Sequence, residues 1–286
     1  MCRFVAYKGS EEQRLADVLI KPSNSLIKQS LLSQESRTIT NGDGFGLGWY
    51  TLYDKEPALF TSLFPAWSDQ NLQYLAKRTR AALFFAHVRA ASTGGITQYN
   101  CHPFIFKQWM FMHNGYIPHF TKIKRKIFDL LDDDLYNWVK GSTDSELIFA
   151  LFMQLAKNEN LTSLANVAHI LKKTLDIIQK LVQERYPKSS NYFNICLTDG
   201  RRIVAFRYCT SLKAKPDTMY LSIGENFWGS NQNLFAQKLK VPHIVIASEK
   251  LSKSGFDWHP IPANHCLLVE ADLQISFFPL NEQSRK

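Results

Sequence analysis

Two β-sheets packed on one another with helices on the outside, an α+β fold in one domain over residues 1–286, are what this chain predicts. Three observations lead there. Segments come in blocks, strands first, then helices, then strands again, which suits two packed sheets carrying outer helices. Hydrophobic residues make up 45% and charged residues 21%, a balance with enough apolar side chain for a real core. The chain has 286 residues, near the upper end of what one core supports, and shows no internal repeat or low-complexity linker.

The elements follow in order. Residues 3–8 read as a short apolar strand ending at Gly9. Residues 45–53, 82–88 and 109–113, rich in aromatic and apolar side chains, read as further strands. The helical block begins where Thr143 and Glu146 form a Thr-x-x-Glu capping box ahead of the apolar run 147–155. Leu164, Ala168, Leu171, Leu175, Ile178 and Val182 then recur at spacings of four and three, one face of a long amphipathic helix packed on the core. Beyond Pro187, residues 192–198 and 203–208 flank Asp199-Gly200-Arg201-Arg202, a hairpin signal. Segments 218–223, 243–248 and 265–270 follow as strands, and residues 281–286 read as a frayed polar end.

Charge and composition exclude several function classes. The net charge is +9, from 34 Lys+Arg against 25 Asp+Glu, and it is diffuse. Its densest run, residues 122–126, reads as a solvated helix face or loop, with an anionic partner or steering of anionic substrates as the alternatives; no nucleic-acid partner is expected. No secretory segment opens the chain, and the longest near-pure apolar run, 147–153, is far short of the ~20 residues of a membrane span. Five cysteines, at 2, 101, 196, 209 and 266, form no CxxC spacing; a reducing cytoplasm is the expected setting. Four histidines at 87, 102, 113 and 119 lack the spacing of a helical metal pair and carboxylates are sparse around them, so no metal is expected; no cofactor is expected either.

Five features carry chemistry. Removal of Met1 is expected, because Cys2 is small, and it would leave a sulfur and a free α-amine on one carbon. The amine titrates near ~8 and the thiol near ~8.5, so the amine can take the thiol proton and serve as base. Asn41-Gly42-Asp43-Gly44-Phe45-Gly46-Leu47-Gly48 lacks the following helix of a phosphate cradle and reads as a tightly packed strand beside a site. Arg89 ends an apolar strand, where it needs either a structural ion pair or a substrate carboxylate. Asn100-Cys101-His102-Pro103 precedes His113-Asn114-Gly115, and Asn114-Gly115 is either a plain turn or a donor pair for an oxyanion. Asp144 opens a helix, where it serves the helix dipole or holds an ammonium group. A Cys101–His102 catalytic pair is disfavoured, since adjacent strand residues point apart.

Cys2, His-x-Arg at 87–89, Asn-x-His-Pro at 100–103, His-Asn-Gly at 113–115 and Ser-x-Asp-Ser-Glu at 142–146, in this order, resemble the class-II glutamine amidotransferases, which are N-terminal-nucleophile hydrolases. The wording is most similar to a stand-alone branch containing the amidotransferase-like subunit of a glutathione-degrading complex and the γ-glutamyl hydrolase of ergothioneine synthesis. Pro65-Ala66-Trp67, Asn71-Leu72 and Ile123-Lys124-Arg125-Lys126 make the glutathione-degradation subunit the nearer likeness. The clear match covers about the first 155 residues.

The resemblance implies a four-layer αββα sandwich and assigns roles. Cys2 attacks a γ-carbonyl, with its own amine as base, and Asn114 and Gly115 hold the oxyanion. Arg89, assisted by Ser92, binds the substrate α-carboxylate, Asp144 binds the α-ammonium, and His102 and Asp43 support the site. Ala90 stands where many members carry Trp, and Thr93 where many carry His; in the family both positions lie near the substrate end of the pocket. These departures from the family put a preference for glutamine in doubt and make a larger γ-glutamyl compound a candidate substrate. The expected activity is hydrolysis of a γ-glutamyl amide bond, in a glutathione-like compound or glutamine, through a γ-glutamyl thioester on Cys2. The alternatives are a glutaminase subunit supplying ammonia to a separate synthase, and a catalytically silent binding or regulatory module. A small-molecule γ-glutamyl substrate and a separate peptidase or synthase subunit are the expected partners, with no membrane.

Overall fold

The computed structural model of the chain describes residues 2–36, 38–91, 94–211, 213–224, 242–252 and 257–280. The expectations for Met1, Ser92, Thr93 and residues 281–286 lie outside the described residues.

The chain opens with β1 (Arg3–Arg14), α1 (Leu15–Leu19), α2 (Leu26–Leu31), β2 (Phe45–Trp49), β3 (Ala58–Ser62), α3 (Gln70–Arg78) and β4 (Arg80–Val88). β5 (Phe104–Phe106) and β6 (Trp109–Tyr116) lead into α4 (Phe120–Phe128), α5 (Asp133–Trp138), α6 (Asp144–Ala156) and α7 (Leu164–Gln183). Then come β7 (Tyr192–Thr198), β8 (Ile203–Cys209), β9 (Tyr220–Gly224), β10 (His243–Ala247), β11 (Trp258–Pro260), β12 (His265–Val269) and β13 (Ile275–Pro279). The strands form a seven-stranded sheet, β11-β9-β10-β1-β4-β2-β3, and a six-stranded sheet, β13-β12-β8-β7-β6-β5. Their strand pairs are antiparallel.

Three apolar clusters define four layers, because successive strand side chains face opposite sides. Phe4 and Ala6 of β1, Phe85 of β4, Met110 and Met112 of β6, and Ile244 and Ile246 of β10 meet between the sheets. Val5, Tyr7, Phe84, Ala86 and Val88, one residue out of phase, pack under α1, α2 and α3. Phe111, Phe193, Ile195 and Phe206 pack under α4, α6 and α7. The helical stripe Leu164, Ala168, Leu171, Leu175, Ile178 and Val182 is buried in that last cluster, as its spacing predicts. The architecture is therefore two antiparallel sheets between helical layers.

Some boundaries differ from the sequence expectation. Gly9 does not end the first strand: it pairs with His243, and β1 runs on to Arg14 past an irregularity between Lys8 and Gln13. β6 runs beyond residue 113, and Asn114 and Gly115 pair with Asn194 and Phe193 in β7, so this Asn-Gly lies inside a ladder and makes no turn. The capping box forms by half. Thr143 Oγ1 accepts the Glu146 N–H at 3.2 Å, but Glu146 accepts from Lys140 and Gly141 N–H groups, at 2.9 and 2.7 Å. The chain approaches α6 in a turn that offers those donors to the carboxylate. The hairpin at 199–202 joins β7 to β8 with Gly200 at φ 89°, a region that favours glycine.

Candidate active site

The ends of β1 and β4 bring the predicted nucleophile and arginine together. Phe4 pairs with His87 and Arg3 with Val88, so the next step of the ladder sets Cys2 beside Arg89. By alternation from Phe4 and Phe85, Cys2 and Arg89 both face the space between the sheets. The Cys2 sulfur rests on the turn that follows, accepting the Ala90 N–H at 3.3 Å and lying 3.4 Å from the Ala90 carbonyl. Burial pushes the Cys2 thiol up; the Ala90 N–H and the charges of Arg89 and Arg3 oppose that rise. Arg89 is buried and its Nη1 donates to the Gly95 carbonyl at 3.2 Å. Asp43 holds the turn as a support: its carboxylate accepts the Ala91 N–H at 2.7 Å, and its own N–H donates to the Arg89 carbonyl at 3.0 Å.

The second sheet contributes the facing wall. Asn114 shares the inter-sheet side of β6 with Met110 and Met112. It is buried, and neither its amide nitrogen nor its amide oxygen has a hydrogen-bond partner among the described residues. Gly115 carries no side chain where a Cβ would overlap the Tyr192 carbonyl of β7. His113 points the other way, toward α6. The Tyr192 carbonyl can only accept, so Nε2 donates to it at 3.1 Å and Nδ1 accepts from the Ser145 hydroxyl at 2.9 Å. Asp144, first residue of α6, is fastened to the end of β6, for its carboxylate accepts the N–H groups of Ile117 at 2.9 Å and Ser145 at 2.8 Å.

His102 sits under the site. It follows Cys101, joins Pro103 through a cis peptide, and its ring lies 4.2 Å from that of His87 and 4.6 Å from that of Phe104, centroid to centroid. Both imidazoles are buried, and among the described residues no ring nitrogen of either is within hydrogen-bonding geometry of a partner. Burial holds His102 neutral and pulls His87 down to about 3, with Arg89, His113 and Arg3 adding to the effect on His87. The predicted close packing of the glycine-rich strand is found here: a side chain at Gly46 would overlap the His102 carbonyl, and one at Gly48 would overlap the Met110 sulfur. Burial pushes the Cys101 thiol up to about 11, which disfavours its thiolate.

Two groups were not read from the sequence as site residues. Arg3, fully buried on the outer side of β1, pairs with Glu249 at 3.2 Å, and Glu249 also accepts the N–H groups of Gln34 and Glu35 at 3.0 Å each. A charge inside the run Arg3-Phe4-Val5-Ala6-Tyr7 was the available signal. Asn100 joins the 94–100 loop to the start of α6; its motif was visible, but its partner lies 42 residues away. Among the described residues, no group of three or more His, Cys, Asp or Glu is placed to hold a metal ion, and no helix is long and apolar enough to cross a membrane.

The glutamine amidotransferases class-II family matches residues 16–221 of the chain. The probable glutamine amidotransferase DUG3 of Saccharomyces cerevisiae is 36% identical over 293 residues, covering 94% of this chain and 82% of that protein. In fold, the chain is similar to a glutamine aminotransferase class-II domain protein from Silicibacter pomeroyi, with a TM-score of 0.67 at 23% identity, covering 97% of this chain and 99% of that one. It is also similar to glutamine phosphoribosylpyrophosphate amidotransferase from B. subtilis, with a TM-score of 0.61 at 14% identity. That match takes in 99% of this chain but 50% of the larger enzyme.

Proposed function

This chain belongs to the class-II glutamine amidotransferases, and on that premise we propose that it is a single-domain Cys2-nucleophile hydrolase of γ-glutamyl amide bonds, with a glutathione-like γ-glutamyl compound preferred to glutamine. Once Met1 is removed, the Cys2 amine takes the thiol proton. The sulfur attacks the γ-carbonyl and a C–S bond forms. The oxyanion is held by the Asn114 amide and the Gly115 N–H. The ammonium returns its proton to the leaving amine as the C–N bond breaks. Water then attacks the thioester, releasing the γ-carboxylate and restoring the thiol. Arg89 receives the substrate α-carboxylate and Asp144 its α-ammonium. The preference for a larger substrate rests on Ala90, a small side chain at the turn touching the nucleophile. A separate peptidase or synthase subunit would consume the released product.

The observation that carries this reading is that Cys2, backed onto the turn after Arg89, and a buried Asn114 amide with no hydrogen-bond partner among the described residues both face the space between the sheets. The test is the kcat/KM of the purified protein on glutamine and on γ-glutamyl peptides, beside its Cys2→Ala variant. Turnover of γ-glutamyl peptides, absent in a folded Cys2→Ala protein, is the expected result. A strong glutamine preference would replace it with the ammonia-supplying reading. No turnover, with no adduct at Cys2 from a diazo-ketone glutamine analogue, would leave a binding module.

A further inference from the structure

Asn100 has no exposed surface, so it touches no substrate. Its amide nevertheless joins the two residues read above as head-group ligands. The Gly95 carbonyl accepts from Arg89 Nη1 at 3.2 Å and from Asn100 Nδ2 at 2.7 Å. The other end of the same amide meets the turn before α6: Asn100 Oδ1 accepts the Ser142 N–H at 2.8 Å, and Nδ2 lies 3.1 Å from Ser142 Oγ. Ser142 stands two residues before Asp144. The turn is itself fixed, because Glu146 grips the Lys140 and Gly141 N–H groups. At Gly141 a Cβ would overlap Asn100 Oδ1, so the two segments are in close contact.

We infer that Asn100 is a positioning residue that sets the spacing between Arg89 and Asp144, and with it the selectivity for an α-amino-acid head group. This rests on the reading of Arg89 and Asp144 given above. The chemistry demands an amide. One planar group must donate to a carbonyl on one side and accept an N–H on the other, which aspartate cannot do. Asn100→Asp sets a carboxylate oxygen against the Gly95 carbonyl and pushes apart the surfaces that hold the spacing. An amino-acid head group is gripped at both ends, so a small change of spacing acts on its binding and leaves the intrinsic reactivity of Cys2 alone.

The test compares two alkylating probes of Cys2 in the full chain: a diazo-ketone glutamine analogue, which carries the head group, and iodoacetamide, which lacks it. In Asn100→Asp, second-order inactivation by the analogue is expected to fall at least about tenfold, through weaker binding, as loss of paired buried hydrogen bonds implies. Iodoacetamide labelling stays within about twofold on the same argument. Ser142→Ala, which keeps Asn100 and its Gly95 bond, shifts the same ratio by roughly threefold and decides the matter if Asn100→Asp does not fold. A parallel loss with both probes would make Asn100 merely structural and overturn the inference, as would no loss with either. A wild-type protein that reacts no faster with the analogue than with its desamino counterpart would overturn the head-group reading and, with it, this inference.

Discussion

The candidate site contains two sets of buried polar side chains, and they differ in how they are bonded. Toward the helical layer, Asn100, Asp144 and Glu146 each find backbone N–H partners at 2.7 to 2.9 Å. Between the sheets, the side-chain amide of Asn114 and the ring nitrogens of His87 and His102 have no hydrogen-bond partner among the described residues. A buried polar group left unmet costs about 1–3 kcal/mol, so the two sets make opposite contributions to the resting fold. The bonded set is framework: it holds the N-terminus of α6 and the loop after β4. The unbonded set is where a ligand's polar atoms gain most, since a new hydrogen bond there displaces none inside the protein.

The framework should break hardest where a charge is buried. Glu249 balances Arg3 with both side chains fully buried. Removing it with Glu249→Ala leaves an uncompensated cation and should cost about 3–5 kcal/mol in urea unfolding. The double variant Arg3→Met/Glu249→Leu should regain more than half of that loss, since it abandons both charges together. A double variant as weak as the single one would mean that the backbone bonds to Gln34 and Glu35 carry the effect.

Asn114→Leu probes the unbonded set. It should lower kcat by about 10²–10³, the usual effect of losing an oxyanion donor. Stability should hold or rise, because no internal hydrogen bond is lost. Loss of stability together with unchanged kcat would place Asn114 in the framework.

The buried histidines sharpen the contrast through pH. His87 titrates at about 3 when folded and near ~6.5 when unfolded. Between those values the unfolded chain binds a proton that the folded chain refuses. Stability is therefore full above pH 6.5 and falls as pH drops, by up to about 1.4 kcal/mol per unit for each such histidine. His102 and His113, also lowered by burial, add to the fall. His87→Phe should flatten the decline between pH 6.5 and 5 in denaturant titrations. An unchanged slope would mean that His87 is not the group refusing the proton.

These contrasts also show what the sequence could reveal. A strand buried on both faces, such as β4, announces itself by a continuous apolar run, here residues 81–86. α1 and α2, of five and six residues, are too short to show a period, and β3 and β5 carry partly exposed edges without clean alternation. Cys2, Arg89, Asn114 and Asp144 could be picked out as candidates because a thiol, a cation, an amide and a carboxylate each stand next to apolar strand or helix residues. Their supports could not, because partnership is long-range: Arg3 meets a residue 246 positions away, and Asn100 one 42 away.

The smallest expected effect belongs to the cap of α6, and it separates holding the helix from holding the substrate. Thr143 Oγ1 accepts one N–H, that of Glu146, at 3.2 Å. Thr143→Ala should cost about 1 kcal/mol of stability, the usual loss of an N-cap. The helix start has other anchors, Glu146 on the 140–141 turn and Asp144 on Ile117, so Asp144 should keep its place and KM should change little. A KM that rises with the cap's removal would show that these anchors do not fix Asp144 by themselves, and that the hydroxyl of Thr143 belongs to the same framework as Asn100.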